Sequence, residues 1–397
     1  MSINSNILFI EINDQNLKFI AGKNDDLGNF SLVKSFIVPQ EGYTNNQISD
    51  FNLVLDNLKK NINLIEQNTN YEYKDVILVI NNFDNSIINF SGFKKLNNSQ
   101  LLKENIIYII NSLKTKISEI ESQKKILHIF NTKFFLDKKE TDNLPIGLFG
   151  NFYSHELSFF LINNNDYKNL KNIFEKCNLR ISKIISKCFI EGVNQIENNS
   201  DMHTFFKIEI NKKNSQIFFF ENSALKYIQN FDFGSELIIN DISKIIGLSN
   251  RTVKDIISNS FFSKNLSDKD FLDKKYFKDL NFRKIKKKLI LDIADARIKE
   301  ILELIIIRNI NLSGFISKKM FVLLKIIDKN ILCFEESFQR NLSIEKKFKL
   351  TFLEDDNLEN LYKNAFKIVQ YGWKKEAVPI IHHKKSIISR FFDLIFK

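Results

Sequence analysis

The chain has 397 residues, enough for about two to four compact units. It carries 58 Lys and Arg against 47 Asp and Glu, a net charge of +11. This excess favours anionic partners, although the lysines are spread along the chain as on an ordinary solvated surface. Three cysteines without a C-x-x-C pair indicate a reducing compartment, and five scattered histidines lack metal-ligand spacing. With no basic signal-peptide start and no apolar run of roughly 18 residues, we expect synthesis and retention in the cytoplasm.

Apolar periodicity and turn signals predict the elements of the first half of the chain. In chain order these are a hairpin over 7–21, a helix over 52–67, a strand over 76–80, a helix over 97–113, strands over 125–135 and 155–163, a helix over 166–179 and a strand over 181–188. Residues 144–150 hold one of the three prolines and two of the eleven glycines. We therefore expect special backbone angles there.

The second half opens with another predicted hairpin. The elements that follow in chain order are a hairpin over 205–220, a strand over 224–233, a helix over 235–246 closed by Gly247, a polar stretch over 255–288, a helix over 289–307, a strand over 310–314 and a helix over 356–373. The polar stretch is low in turn signals and is typical of an inserted subdomain. His128 lies in an apolar strand, which predicts a packed core histidine.

The two predicted hairpins share a sequence. Ile10-Glu11-Ile12-Asn13 recurs as Ile208-Glu209-Ile210-Asn211, and Asn16 and Asn214 follow at the same offset. A repeat this far apart predicts two similar halves, because a solenoid would repeat at a short period. The alternative is coincidence in a chain rich in Ile, Glu and Asn.

Several blocks, in this order, resemble the FtsA family of bacterial cell-division proteins. They are 126–129 running to 144–150 (with Leu144 where the family has Asn), 209–247 without gaps, 297–302, Leu312-Ser313-Gly314 and 365–372. The resemblance implies an α/β, actin-like fold of the actin/Hsp70/sugar-kinase ATPase superfamily. Two lobes would flank a nucleotide cleft, and a small α+β (SHS2) subdomain would be inserted in the first lobe.

The resemblance also implies domain boundaries. They are 1–79 and 164–204 for the first-lobe core, 80–163 for the inserted subdomain, 205–247 for the start of the second lobe, 248–295 for its variable subdomain, 296–373 for the second-lobe core and the return to the first lobe, 374–383 for a linker and 384–397 for an amphipathic membrane helix.

The family's phosphate turns are glycine-rich, because glycine admits positive φ and lets a backbone N–H approach an oxygen. The corresponding residues here are Glu11, Asn13 and Asp14 in the first turn, Glu209, Asn211, Lys212, Lys213 and Asn214 in the second, and Gly314, followed by Phe315, at the adenosine loop. The family's ribose-facing Glu and Lys fall at Lys254 and Ile257.

Two interpretations of the cleft follow. Asn tolerates the left-handed region and a lysine can hold phosphate by charge, so Mg-ATP could still bind with altered contacts. Glu11 and Glu209 could then orient metal-bound water, or else simply end their strands. Alternatively the cleft is degenerate, and the lost glycines, Asp14 and the bulky Phe315 favour this interpretation. We find no nucleophile elbow, His-paired Cys or P-loop, so no catalytic residue is predicted and enzymatic activity is not favoured.

The last 14 residues, KKSIISRFFDLIFK, are amphipathic at about 100° per residue. The apolar side holds Ile387, Ile388, Phe391, Phe392, Leu394, Ile395 and Phe396, while Arg390 lies on the polar side and Lys384 and Lys385 at the entrance. One interpretation is a helix that docks on its own domain. The favoured one is an in-plane helix on an anionic membrane, as at the end of FtsA proteins.

The resemblance implies a tether on the cytoplasmic face of the inner membrane at the division site. Such a protein binds the C-terminal peptide of FtsZ, polymerises, and meets other divisome proteins through the inserted subdomain. The candidate FtsZ contacts are Lys286, Lys287, Lys288 and Arg297.

Three alternatives to the tether remain. They are an active ATPase of the same fold, a relative of the pilus-assembly protein PilM, and a nucleic-acid binder suggested by the basic run 283–288. That run lacks aromatic interleaving, so we expect no nucleic-acid partner.

Overall fold

A computed structural model of the chain describes residues 6–13, 15–25, 29–44, 47–81, 83–199, 201–259, 262, 266–277, 281–316, 319–344, 346–354 and 357–377. Unit 1 draws on residues 1–194 and on the chain from 358 onward, and unit 2 comprises 195–357. The sequence placed the start of the second lobe at residue 205, whereas unit 2 begins at Gln195. Across the described ranges, no helix has the length and apolar character needed to cross a membrane.

Unit 1 is a mixed α/β structure. Its elements are β1 (Asn6–Ile12), β2 (Asn16–Asn24), β3 (Phe30–Pro39), β4 (Tyr43–Thr44), β5 (Gln47–Ile48), α1 (Phe51–Thr69), β6 (Asp75–Ile80), β7 (Asn85–Gln100), α2 (Lys103–Ile120), β8 (Lys124–Leu136), β9 (Lys139–Thr141), β10 (Phe149–Asn163), α3 (Asn164–Lys176), β11 (Arg180–Ser186), α4 (Lys187–Asn198) and α9 (Leu358–Tyr371). Strand β1 reads NILFIEI and is almost wholly buried, as its unbroken apolar run predicts.

The main sheet of unit 1 has the order β11–β6–β1–β2–β3. Strands β1, β6 and β11 are parallel, whereas β1, β2 and β3 form an antiparallel meander. The carboxyl ends of the three parallel strands therefore lie at one edge of the sheet. The start of α1 is capped by Asp50, whose side chain accepts from the N–H groups of Asn52 and Leu53.

A second sheet in unit 1 has the antiparallel order β7–β10–β8–β9. Helix α2 packs on it through Ile106, Ile109, Ile110, Leu113 and Ile117. This α+β subdomain occupies residues 85–163 of the predicted insertion. Gly147 has φ +84° in the 144–150 segment, so the special backbone expected there is confirmed.

The prediction of a helix from residue 97 was wrong at its start, because 97–100 extend β7 and α2 begins at Lys103. Asn97 and Asn98 adopt left-handed angles, with φ of 51° and 61°. Asn adopts such angles more readily than most residues. The two left-handed residues form an irregularity within β7 instead of starting a helix.

Unit 2 is also mixed α/β. Its elements are β12 (Phe205–Ile210), β13 (Ser215–Glu221), β14 (Ala224–Phe231), α5 (Glu236–Ile246), α6 (Asn250–Asn259), α7 (Lys287–Leu302), β15 (Met320–Ile326), α8 (Glu335–Ile344) and β16 (Phe348–Phe352). Short 3-10 turns lie at Lys274–Phe277, Ile310–Leu312 and Lys329–Phe334. Gly247 ends α5 in the left-handed region, as the sequence predicts.

The sheet of unit 2 has the order β14–β13–β12–β15–β16. The hairpin β12–β13 continues antiparallel into β14, and β12, β15 and β16 are parallel. This is the arrangement of the main sheet in unit 1, with the repeated sequence on the equivalent hairpin each time. The prediction of two similar halves is confirmed, and coincidence does not explain equal positions in two equal topologies.

Two predictions in unit 2 need correction. Residues 310–312 form a 3-10 turn instead of a strand, because the side chain of Asn309 accepts from the N–H of Asn311 and starts the turn. The predicted helix over 289–307 ends as an α-helix at Leu302 and continues as a π-helical turn, Glu303–Ile307. The polar stretch 255–288 contributes Ile256, Ile257 and Ile285 to the same core as the sheet.

Candidate functional site

The turn of the first hairpin is held by the side chain of Asn13. Its Oδ1 accepts from the backbone N–H groups of Gln15 (2.9 Å) and Asn16 (2.8 Å). A phosphate-binding turn presents such N–H groups to its ligand. Here the N–H groups of these two residues are bonded to a protein oxygen. Asp14 lies outside the described residues.

Glu11, at the end of β1, is fully buried and has protein partners on both carboxylate oxygens. Lys187 donates to its Oε1 at 2.8 Å, and Lys18 Nζ lies 3.1 Å from the same oxygen. The Tyr362 hydroxyl donates to Oε2 at 2.7 Å. Lys187 also lies 3.9 Å from Glu191, so two ammonium groups and two carboxylates balance in charge. These contacts hold the Glu11 carboxylate among residues of unit 1.

The electrostatics of this cluster favour the ionised glutamate. Burial by itself raises the pKa of Glu11, but Lys187 and Lys18, with hydrogen bonds from Lys187 and Tyr362, outweigh burial and lower it to about 2. Burial and the ionised Glu11 raise the pKa of Tyr362 well above its ordinary value. Burial, followed by the neighbouring Lys187, lowers the pKa of Lys18, although Glu11 opposes that change. The carboxylate is therefore a permanent anion at neutral pH.

The second turn packs onto the start of α5. Asn211 and Asn214 hold it together, with a backbone bond of 2.9 Å and a side-chain bond of 2.7 Å. The carbonyl oxygens of Asn211 and Lys212 accept from the N–H groups of Ser235 and Glu236, both at 2.9 Å. Helix starts bind anions through such N–H groups. In this hairpin, carbonyl oxygens of the turn accept hydrogen bonds from the N–H groups at the start of α5.

Close packing at this turn requires a glycine. A Cβ on Gly234 would lie 2.2 Å from the carbonyl oxygen of Asn211, so no larger residue fits without a backbone shift. The side chains of Lys212 and Lys213 are exposed. Glu209, the counterpart of Glu11, is buried and contacts the ammonium of Lys207 on the same face of β12. Both repeated glutamates thus pair with lysines of their own unit.

The predicted adenosine-loop residues serve packing. Gly314 has open space around it, and its φ is not in the left-handed region, so the backbone does not require glycine. Phe315 stacks on Phe219 with ring centroids 4.8 Å apart and lies 5.3 Å from the ring of Tyr227. Ile257, at a ribose position of the family, is buried in the core of unit 2. The described residues therefore supply structural partners where the family contacts its nucleotide.

The candidate FtsZ contacts lie at the start and middle of α7. Lys286 and Lys288 lie 3.5 and 3.9 Å from the exposed carboxylate of Asp268. Lys287 is half-exposed beside them. Arg297 pairs with Asp241 of α5 and, at 2.7 Å, with Glu300. Arg297 thus joins two helices of unit 2, whereas the three lysines form an accessible basic surface.

The candidate membrane residues, Lys384 to Phe396, lie outside the described residues. Residues 373–377, which we call the clasp, directly precede the undescribed end of the chain. The clasp pairs with β8: Ala377 N–H donates to Ile129 O at 2.7 Å, and Asn131 N–H to Lys375 O at 2.6 Å. Residues 374–377, which the sequence assigns to a linker, thus extend the sheet of the inserted subdomain.

Glu376 fixes the clasp in the interior of unit 1. It is buried, and His128 Nδ1 lies 2.8 Å from its Oε1 while Lys183 Nζ lies 3.7 Å from Oε2. Burial raises the pKa of Glu376, but its hydrogen bond with His128, together with Lys183, holds it below its ordinary value. His128 is buried as predicted, and its Nε2 accepts from the Ser186 N–H at 3.2 Å. This bond assigns the proton to Nδ1, which donates to Glu376.

Sequence reasoning missed Lys18, Lys187, Tyr362, Lys183 and Glu376. The available signals were weak: Lys187 lies in a predicted strand, and Glu376 is a lone acid among lysines. The Glu11 contacts join β1 to β2, α4 and α9, and the Glu376 contacts join the clasp to β8 and β11, so both depend on which elements lie side by side. Strand order is a long-range property that local periodicity does not contain. Among the described residues, no group of three or more His, Cys, Asp or Glu could hold a metal ion.

The relatives that the chain matches in sequence share one name, cell division protein FtsA. The chain is 22% identical over 373 residues to cell division protein FtsA of Buchnera aphidicola subsp. Acyrthosiphon pisum, covering 90% of this chain and 87% of the relative. It is 20% identical over 411 residues to FtsA of the Schizaphis graminum subspecies, covering 98% and 96%. FtsA of Escherichia coli K12 is 16% identical over 241 residues, covering 61% and 57%. No protein-family model matches the chain.

Among solved structures, the chain is similar to one from the PilM–PilN type IV pilus biogenesis complex. The TM-score is 0.53 at 8% sequence identity, with 91% of this chain and 95% of that one covered. At this identity the likeness shows the fold alone. The predicted fold class is confirmed: the chain has an actin-like fold and resembles the FtsA proteins over nearly its whole length.

Proposed function

We propose that the chain is a cell-division protein of the FtsA type that tethers FtsZ filaments to the cytoplasmic face of the inner membrane at the division site. The observation that carries this proposal is sequence similarity to FtsA proteins across at least 90% of the chain, on an actin-like fold. The tether would polymerise through that fold and would meet other divisome proteins through the subdomain over 85–163.

We further propose that the nucleotide cleft is degenerate, so Mg-ATP binding is weak or absent. Support comes from both hairpins. In the first turn, Asn13 Oδ1 accepts hydrogen bonds from backbone N–H groups. In the second turn, backbone carbonyl oxygens accept hydrogen bonds from the N–H groups at the start of α5. Glu11 and Glu209 pair with lysines. Calorimetric titration with Mg-ATP tests this step, and a dissociation constant of about 1 µM or tighter would overturn it.

The FtsZ-binding surface in this proposal is the basic start of α7. Lys286, Lys287 and Lys288 are accessible, and among the described residues the carboxylate of Asp268 lies near Lys286 and Lys288. An acidic peptide would meet net positive charge there. Arg297 is a poorer contact, because its guanidinium already holds Asp241 and Glu300.

The proposal is tested by pull-down of FtsZ with the full chain, with Lys286→Glu/Lys287→Glu/Lys288→Glu, and with Lys103→Glu/Lys114→Glu/Lys116→Glu on α2 as a charge-matched control. We expect the wild type and the control to bind, and the α7 variant to bind more weakly, with a larger loss at low salt. FtsZ without its C-terminal peptide should not bind. Normal binding by the α7 variant would refute this surface, and no binding by the wild type would refute the tether.

The fold likeness to a chain of the PilM–PilN complex favours one second candidate, a pilus-assembly role. FtsZ binding separates the two functions, because only the tether requires it. The membrane-binding tail proposed for residues 384–397 also belongs to the tether.

A further inference from the structure

Unit 1 contains a cavity of about 530 Å³, within the usual size range of small-ligand pockets. It lies against the edge strand β11, beside the start of β8, helix α3, the end of α9 and the clasp. Its walls are largely apolar, with contributions from Ile126, Leu127, Ile181, Ile184, Ile368 and Trp373. The cavity shares no residue with the hairpin turns.

The polar part of the lining is predominantly basic. Lys125, Lys171, Arg180 and Lys183 line the cavity, against only two carboxylates, Glu175 and Glu376. Lys171 lies 3.6 Å from Glu175, Lys183 lies 3.7 Å from Glu376, and Arg180 binds Asp75, just outside the lining, at 2.6 Å. With Asp75 included, the four basic groups exceed the carboxylates by one charge. The Lys125 ammonium lies over the Tyr167 ring, 5.6 Å from its centroid. An apolar chamber with this excess of positive charge suits an anion attached to an apolar body.

The position of the cavity narrows the choice of ligand. Tyr167, Tyr371 and Trp373 line it, and aromatic residues of this kind are enriched where proteins meet the membrane–water interface. The clasp forms one wall, and the proposed membrane tail follows it in the chain. The tail itself is a poor occupant, because residues 378–397 carry four basic side chains and one acidic one. Like charges around the cavity would oppose its entry.

We propose that this cavity binds an anionic phospholipid, with the phosphate near Lys125 and Lys171 and the adjoining apolar part against Ile181 and Trp373. The inference rests on the proposed function, because the tail is what brings this face of unit 1 to the membrane. Lipid entry would stabilise the clasp, which shares Trp373 and Glu376 with the cavity wall.

Trp373 is the single tryptophan of the chain and therefore reports directly on the cavity. The test uses the full chain carrying Phe391→Glu/Ile395→Glu, so that the tail does not contribute. Dihexanoyl phosphatidylglycerol, kept below its micelle concentration, should change the Trp373 emission saturably. Dihexanoyl phosphatidylcholine should bind at least about tenfold more weakly, and inorganic phosphate should leave the emission unchanged.

Lys125→Gln and Lys171→Gln should each weaken phosphatidylglycerol binding by roughly fivefold, as expected for one basic contact to an anionic lipid. Lys116→Gln, an exposed lysine of α2 outside the cavity, serves as the matched control and should leave binding unchanged. The lipid assignment would be overturned if Trp373 emission responded equally to both lipids or responded to phosphate alone. It would also be overturned if all three variants had equal effects on phosphatidylglycerol binding. A saturable change in Trp373 emission on addition of the FtsZ peptide, with no change on addition of lipid, would also overturn the lipid assignment. The cavity would then be a peptide-binding site.

Failure of the tether and failure of the cavity give different results. If the wild-type tail does not bind vesicles while soluble phosphatidylglycerol still saturates Trp373, the proposed function fails and the lipid site stands. If the tail binds vesicles but brominated phosphatidylglycerol in them does not quench Trp373, and the soluble lipid has no effect, the cavity proposal fails alone.

Discussion

The family resemblance places Glu11 where it could orient metal-bound water or simply end its strand, and in the structure its carboxylate is the centre of a buried cluster. Its partners come from β2, α4 and α9, which are distant in sequence. A buried carboxylate is stable only when it is paired and hydrogen-bonded, and Glu11 satisfies both conditions. The same carboxylate that could orient metal-bound water therefore ties three elements of unit 1 together.

The Glu11 cluster predicts a specific pH dependence. The folded pKa of about 2 lies below the ordinary 4.5, so ionised Glu11 stabilises unit 1 above about pH 4.5, and the contribution is lost as the pH falls toward 2. The shift corresponds to about 3 kcal/mol, of which about 2 kcal/mol should be lost by pH 3.

Urea unfolding of the wild type and Glu11→Gln at pH 7, 4 and 3 measures this effect. The variant should be less stable at pH 7, and the difference should shrink on acidification. Glu175→Gln, which breaks an exposed pair, should change stability little at any of these pH values. A wild-type advantage over Glu11→Gln that stays constant from pH 7 to pH 3 would refute the role of the cluster.

The packing of the second turn is tested by substituting Gly234, with the same substitution at Gly314 as the control. In Gly234→Ala the new Cβ would lie 2.2 Å from the Asn211 carbonyl, so the turn and the start of α5 must separate. We expect a loss of about 2 kcal/mol in the free energy of unfolding. Gly314→Ala meets nothing within 4 Å and should change stability by less than about 0.5 kcal/mol. Equal effects of the two variants in urea unfolding would contradict the packing described here.

At the scale of elements, the clasp joins the inserted subdomain to the rest of unit 1. Its backbone extends β8, and Glu376 reaches His128 on β8 and Lys183 on β11. One side chain thus connects two different sheets. The clasp is the last part of the chain that the structure describes, and residues 378–383 separate it from the proposed tail.

The role of Glu376 is tested by hydrogen exchange of the Ala377 and Asn131 amides in wild type and Glu376→Gln. Loss of the charge-assisted hydrogen bond should cost about 2 kcal/mol, which corresponds to exchange faster by roughly tenfold or more. Glu175→Gln, an exposed acid near the same cavity, is the control and should leave both amides protected. Unchanged exchange in Glu376→Gln would mean that the backbone bonds alone hold the clasp.

The elements that sequence predicted well are those determined by local pattern. Both hairpins, the helix over 52–67 and the Gly247 end of α5 follow from apolar spacing and backbone preference. The error at 97–100 occurs where Asn97 and Asn98 adopt left-handed angles within a strand, and the error at 310–312 occurs where the Asn309 side chain starts a 3-10 turn in an apolar segment. The clasp and the Glu11 cluster depend on strand order, which joins residues up to 351 positions apart. Local periodicity cannot supply such contacts.

At the scale of the whole molecule, two sources of membrane affinity must be separated. The net charge of +11 attracts the chain to any anionic surface, and this attraction is screened by salt. The apolar face proposed for the tail would bind through burial, which salt does not screen. Membrane binding that persists at high ionic strength therefore reports on the tail.

We expect the tail's apolar face to carry the membrane affinity of the full chain. Full burial of a Phe or Ile stabilises by roughly 1.5–3 kcal/mol, and partial interfacial burial by about half of that. Phe391→Glu/Ile395→Glu should therefore abolish co-sedimentation with liposomes, whereas Ser386→Glu/Ser389→Glu, with the same charge change on the polar side, should weaken it only on anionic lipid. Removal of Lys384 and Lys385 should cost about 1 kcal/mol each on anionic vesicles and little on neutral ones. A folded chain ending at His383 that still pellets with liposomes would exclude the tail as the anchor.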